Sequence, residues 1–150
     1  MKFPVFDLHC DTALALLGKD MVRSDSLRRN KLHIDLERAA TLSCYAQCFA
    51  CFTTPYMEKW HNISPVTVFE RELAGITLQL EENSDLIAQA FTPEDIEENR
   101  KNGKMSAILT IEGPAGFGFD PELLYDLYQV GYRITTLGWN EKNPLTGSNV

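Results

Sequence analysis

The sequence predicts an α/β fold in which about four parallel strands carry covering helices. Three observations lead there. Short runs rich in apolar and β-branched residues alternate with longer stretches of helical periodicity. The strand runs are apolar at consecutive positions, as strands covered on both faces require, instead of alternating with polar residues. The segments that join one strand to the next are long enough to hold a helix, which parallel neighbours need.

Taken in order, the first strand spans Pro4–Cys10 and runs into Asp11-Thr12. A polar stretch over residues 18–31 reads as a loop with a short helix. Asp35 is placed to cap a short helix over residues 36–41. The second strand covers residues 43–52, and a loop over residues 53–62 carries Tyr56, Trp60 and His61. Ser64-Pro65 supplies an N-cap followed by proline at the first helical position. The helix behind it sets Val66, Phe69, Leu73, Ile76 and Leu80 on one stripe, three and four apart.

Thr92-Pro93-Glu94-Asp95 opens the next helix with an acidic first turn, and Asn102-Gly103 ends it with a glycine suited to the left-handed cap. The third strand covers residues 106–111 and closes on Glu112-Gly113-Pro114. Asp120-Pro121 opens a helix with Leu123, Leu124, Leu127 and Tyr128 directed inward, and Gly131 stops it. The fourth strand covers residues 132–137.

With 150 residues, 44% of them hydrophobic, the chain has enough apolar material for one core, so residues 1–150 read as a single domain. A net charge of −7 argues against nucleic acid, which is held by basic patches. The one local basic stretch, Arg23, Arg28, Arg29 and Lys31, reads as a solvated loop. No charged-then-apolar signal pattern opens the sequence, and no apolar run has the length of a membrane span. These features predict a cytoplasmic protein with no membrane contact.

The four cysteines are Cys10, Cys44, Cys48 and Cys51. Cys48 and Cys51 lie in an apolar run, where an extended backbone turns them to opposite faces. No second C-x-x-C completes a metal or redox site, so these cysteines read as small core residues.

In folds of this class, chemistry collects beyond the carboxyl ends of the strands. The first strand ends with His9-Cys10-Asp11. Two positions apart on a strand, His9 and Asp11 face the same way, with Asp7 behind them. An imidazole and a carboxylate converging on one point form two teeth of a divalent-metal chelate; the alternative is a loop-bonding aspartate beside a core histidine. The third strand ends with Glu112, the one charge between Ser106 and Gly118. A carboxylate there is costly unless compensated, by a cation or by capping a helix or loop. His9, Asp11 and Glu112 together offer one nitrogen and two oxygen donors and leave positions open for water, the pattern of a hydrolytic site. The fourth strand runs into Trp139-Asn140-Glu141-Lys142-Asn143. His33, in His33-Ile34-Asp35, forms a second H-x-D, but Asp35 fits the role of a helix cap there. His61 lies in a polar loop.

The ordered set Asp7-Leu8-His9-Cys10-Asp11-Thr12, Asp35-Leu36-Glu37-Arg38, Ala46-Gln47, Ile111-Glu112-Gly113, Gly131-Tyr132-Arg133-Ile134-Thr135-Thr136-Leu137 and Asn140-Glu141-Lys142-Asn143 resembles the membrane (renal) dipeptidase family of zinc peptidases along essentially the whole chain. The resemblance implies a (β/α)8 barrel with a binuclear zinc centre, of which this sequence would supply the N-terminal half. It implies that His9 and Asp11 bind the first zinc, that Glu112 bridges both zinc ions and is the catalytic carboxylate, and that Trp139 and Asn140 lie at the substrate rim. It further implies hydrolysis of dipeptides, often with a D-residue on the C-terminal side, by a metal-bridging hydroxide.

Two departures bear on this reading. Some family members carry a histidine where Trp139 stands; tryptophan would wall the pocket and stack on substrate instead. A full barrel needs about 250 residues, and the second zinc's histidines and a later proton-handling aspartate fall in the half not represented. The expectation is therefore a fragment, or a gene shortened to its N-terminal half, inactive alone. Its open sheet would self-associate or pair with the missing C-terminal half. The alternative readings are a non-catalytic half-barrel serving as an assembly module, and another metal-dependent amidohydrolase.

Overall fold

The computed structural model describes residues 3–147. In chain order the elements are β1 (Pro4–Cys10), α1 (Thr12–Ala15), α2 (Leu36–Ala39), β2 (Cys44–Phe52), α3 (Met57–His61), α4 (Pro65–Glu82), β3 (Ile87–Gln89), α5 (Pro93–Lys101), β4 (Met105–Glu112), a 3-10 turn (Pro114–Phe117), α6 (Leu123–Val130) and β5 (Tyr132–Thr136). The final residues of the predicted C-terminal loop, 148–150, lie outside the described residues.

All paired strands are parallel. β1 flanks β2, and β2 flanks β4. The far side of β4 is shared: β3 pairs with Met105–Ala107, and β5 pairs from Leu109 to Glu112. The sequence predicts four strands, and the fifth is β3. Its three residues, Ile87-Ala88-Gln89, make no run long enough to stand out between two helices.

The caps form as the sequence dictates. Asp35 accepts the N–H of Arg38 at 2.8 Å, and Ser64 accepts that of Thr67 at 3.1 Å. Thr92 and Asp95 form a reciprocal capping box. Gly131 ends α6 in the left-handed region, at φ +116°.

The main core lies between the sheet and α4, where Phe69, Ile76 and Leu80 meet Phe49 and Cys51 of β2 and Leu109 and Ile111 of β4. Burying one such aliphatic or aromatic side chain contributes about 1.5–3 kcal/mol. Cys48 lies on the opposite face, packed with Ala90, Ile108 and Ile96. Cys48 and Cys51 are both buried and free, so the reading of them as core residues holds.

Three expectations are corrected. Val66 is exposed, and the buried face of α4 is Val68, Phe69, Glu72, Ile76, Gln79 and Leu80; the helix is rolled so that two polar residues enter the core. Leu123 and Tyr128 of α6 are exposed, while Leu124 and Leu127 reach the core. The basic stretch is not simply solvated. Arg23 grips both oxygens of Glu82 at 2.8 and 2.7 Å, and Arg28 grips Asp85 at 2.6 and 2.8 Å. These contacts pin the long loop after α1 to the C-terminal end of α4.

Burial on both faces holds for β2 and β4 but not for β1, where Phe6 and Leu8 are exposed. Exposed Ile134 on β5 matches them at the other end of the sheet. Among the described residues no helix is long and apolar enough to cross a membrane.

Candidate metal centre

β1 follows the register of β2 from Pro4 to Asp7, then slips before Cys10 pairs with Phe49. The strand ends at Cys10, and Asp11 has turned out of extended geometry (φ −92°, ψ 24°) to lead into α1. His9 and Cys10 are still extended, so His9 and Asp11 share a side as alternate positions of a strand end do, and the turn that follows at Asp11 carries the chain away into α1. Asp7 does not join them; its carboxylate accepts the backbone N–H of His9 at 3.2 Å.

The Nε2 of His9 lies 3.2 Å from Oδ1 of Asp11 and 3.3 Å from Oε2 of Glu112. One donor atom from each residue falls within 4.8 Å of the others. His9 and Asp11 are largely solvent-accessible, whereas the Glu112 side chain is 20% exposed. Partial burial lifts the Glu112 carboxyl above the usual carboxylate range; His9 pulls it down and Asp11 pushes it up.

This donor set fits a divalent cation. Ligands about 2.1 Å from a tetrahedral ion lie about 3.4 Å apart, close to the observed spacings. A cation would also reverse the penalty on ionising Glu112. Cys10, between two of the donors, is a poor ligand. Burial pushes its thiol up to about 11, and the hydrogen bonds from Thr12 lower it only in part.

Glu112 is held by its backbone. The N–H of Thr53 donates to the Glu112 carbonyl at 2.9 Å. The Thr53 hydroxyl donates to the Gly113 carbonyl at 3.1 Å and accepts the N–H of Gly116 at 2.8 Å. Gly113 has φ +83°, and a Cβ there would sit 2.1 Å from the Thr53 carbonyl oxygen. Glycine after Glu112 is thus required twice over, by conformation and by space.

Phe52 is the β2 neighbour of Glu112 and Thr136 is its β5 neighbour. Trp139 packs edge-on against Phe52, with ring centroids 5.0 Å apart. Trp60 packs on Trp139 at 6.1 Å, and Tyr56 lies 5.6 Å from Trp60. Four rings from the ends of β2 and β5 thus form a continuous aromatic wall beside the strand that carries Glu112. Trp60 sits on α3, where the sequence reading has only a loop. Asn140 is exposed at the same end. His33 lines a cavity of about 350 Å³ with His9 and Asp11 but stands outside the donor trio, and Asp35 caps α2 instead.

One residue of this region escapes the sequence reading. Glu72 is fully buried in the middle of α4. Its Oε1 accepts the N–H of Phe52 at 3.2 Å, and its Oε2 is buried with no hydrogen-bond partner among the described residues. Burial lifts its carboxyl well above the usual range; the Phe52 N–H lowers it, and the negative charges of Asp11 and Glu112 raise it further. The signal in the sequence is a glutamate at the helical spacing of the apolar stripe, between Phe69 and Ile76.

A family model for membrane dipeptidase (peptidase family M19) matches residues 1–150. No curated protein sequence matches. Among solved structures, the probable dipeptidase PvdM from Pseudomonas aeruginosa superposes with a TM-score of 0.73 at 18% identity, over 94% of this chain and 36% of that one. The metallopeptidase dipeptidase AC, of family M19, gives 0.71 at 20% identity, over 93% and 44%. A metallopeptidase from Rhodobacter sphaeroides, liganded with a phosphinate mimic of the dipeptide L-Ala-D-Ala, gives 0.69 at 18% identity, over 90% and 45%. These likenesses identify the sheet as part of a (β/α)8 barrel. The chain spans less than half the length of each of these structures.

Proposed function

This chain belongs to the membrane dipeptidase family, M19, and from that premise we propose that it supplies the first metal half-site of a zinc-dependent dipeptidase. His9 and Asp11 would hold the first zinc and Glu112 would bridge to a second. The observation that carries this reading is the meeting of the His9 imidazole with both carboxylates, at 3.2 and 3.3 Å, at the carboxyl end of the sheet. When bound, zinc supplies Lewis-acid activation of water and stabilises the oxyanion that develops on the peptide carbonyl.

The chain's own residues have defined tasks in this proposal. Asp11 would neutralise part of the charge of a cation held with His9, and Glu112 would offer its carboxylate to the same centre. Trp139, braced by Phe52 and Trp60, walls one side of the substrate space, and Asn140 stands at its rim.

Turnover needs more than this chain supplies. Among the described residues, His9, Asp11 and Glu112 are the one group of three or more His, Cys, Asp or Glu side chains close enough together to hold a metal ion. The second cation's other ligands would come from the remainder of a barrel. The exposed Phe6, Leu8 and Ile134 are the surfaces that such a remainder, or a second copy, would cover.

The test is zinc titration of the 150-residue chain, followed by an assay of L-Ala-D-Ala hydrolysis. The expected result is zinc binding with near-absent turnover. A chain that binds no zinc removes the half-site assignment. Efficient hydrolysis by the chain alone removes the claim that the rest of a barrel is required.

A further inference from the structure

The geometry points to Glu72 as a positioning residue for the metal centre: it fixes the end of β2 and, through it, the place from which Glu112 presents its carboxylate. The inference rests on the metal reading given above.

Successive N–H groups of a parallel strand point to opposite sides. Thr53 directs its N–H to the carbonyl of Glu112, on the β4 side. Phe52 therefore directs its N–H to the β1 side. No β1 carbonyl is there to receive it, because the ladder with β2 last pairs Cys10 with Phe49 before the chain turns off through Asp11. The departure that delivers His9 and Asp11 leaves Phe52 without an acceptor, and Glu72 supplies one from α4 at 3.2 Å.

The end of β2 is thereby gripped from both sides, by Glu72 on one and by the backbone of Glu112 and Gly113 on the other. The grip continues through the Thr53 hydroxyl to Gly113 and Gly116. The clearance between the two strand ends is too small for a Cβ at Gly113, so a shift at the end of β2 is passed to Glu112.

Packing alone does not favour a glutamate here. A leucine would suit the stripe between Phe69 and Ile76 and would bury no polar atom. Among the described residues Glu72 also has no basic partner and its Oε2 no hydrogen bond, and the charges that act on it are those of Asp11 and Glu112. A buried polar group kept at such a cost next to a candidate centre is accounted for by the hydrogen bond it makes.

The experiment titrates Zn²⁺ and Co²⁺ into the 150-residue chain and into Glu72→Gln, Glu72→Leu and Thr53→Val, with circular dichroism to establish folding. Glutamine keeps the acceptor for Phe52, so Glu72→Gln should bind within about threefold of the parent. Glu72→Leu should weaken binding by about 10- to 100-fold, the usual effect of losing a group that orients a ligand, and should change the visible spectrum of bound Co²⁺. Thr53→Val cuts the next link of the same grip and should weaken binding in the same direction. If Glu72→Leu does not fold, Glu72→Met decides in its place, since it too removes the acceptor for the Phe52 N–H.

A merely structural role would lower the melting temperature and leave both affinity and spectrum unchanged. Folded leucine, methionine or valine variants that bind like the parent overturn the positioning role alone. A parent chain that binds neither metal overturns the half-site reading, and this inference with it.

Discussion

His9 and Glu112 meet at 3.3 Å although their strands are not neighbours; β2 lies between β1 and β4. Adjacent strands are about 4.8 Å apart, so the two backbones stand about 10 Å from each other and the side chains must reach across β2. The register of β1 on β2 shifts between Asp7 and Cys10, the stretch that carries His9. Either end of the pair is open to test. His9→Ala and Glu112→Gln should each weaken zinc binding by more than about 100-fold, since loss of a supporting contact alone costs 10- to 100-fold. Calorimetric titration of the folded variants checks this, and unchanged affinity would remove the assigned roles.

Glu72 gives stability a pH dependence of definite sign. Its folded-state carboxyl titrates well above the ordinary range, because of burial first and the charges of Asp11 and Glu112 after it. Between the unfolded and folded values the native state binds more protons than the unfolded chain. Stability therefore falls as pH rises above the ordinary glutamate value, by up to about 1.4 kcal/mol per pH unit from this group. Glu72→Gln removes the slope. Its melting temperature should match the parent's near pH 4 and exceed it increasingly from pH 5 upward. Parallel melting curves across that range would show Glu72 to be ionised in the native state.

Gly113 should be among the least replaceable residues of the chain. Gly113→Ala places a methyl 2.1 Å from the Thr53 carbonyl oxygen at a φ of +83°. The strands must part or the peptide must rotate, at a cost of more than about 2 kcal/mol. Gly118→Ala is the control, since it also has positive φ (+65°) but open space around it; it should cost about 1 kcal/mol. Chemical denaturation of the two variants measures the difference, and equal costs would refute the close-approach argument.

The two glycines show where reading the sequence succeeds and where it stops. Positions set by local chemistry were legible. Asp35, Ser64 and Thr92 cap because their side chains compete for nearby N–H groups, and Cys48 and Cys51 part because a strand alternates. The polar ends of the first and third predicted strands pointed to His9, Asp11 and Glu112, and these are the residues the fold brings together. Tertiary geometry decided the rest. The bend at Asp11 depends on β1 leaving the sheet. β3 exists because β4 offers an edge to three residues. Glu72 reads as an ordinary helix glutamate until the missing β1 acceptor for Phe52 is known. Val66 and Tyr128 fit an apolar stripe in sequence, yet the roll of α4 and the one-sided contact of α6 leave them exposed.

The aromatic wall carries a prediction that separates substrate contact from metal binding. Trp139 touches Phe52 and Trp60 but belongs to none of the contacts that hold the donor trio. In a protein that comprises the whole barrel, Trp139→Ala should leave zinc content unchanged and reduce kcat/KM for a dipeptide by about 3- to 10-fold. That range corresponds to one aromatic contact of about 0.5–1.5 kcal/mol. Trp60→Ala removes a brace of Trp139 and should act in the same direction with a smaller effect. Metal analysis beside steady-state kinetics distinguishes the outcomes. A loss of zinc in Trp139→Ala would make the wall part of the metal site's support, and unchanged kinetics with full zinc would place the substrate elsewhere.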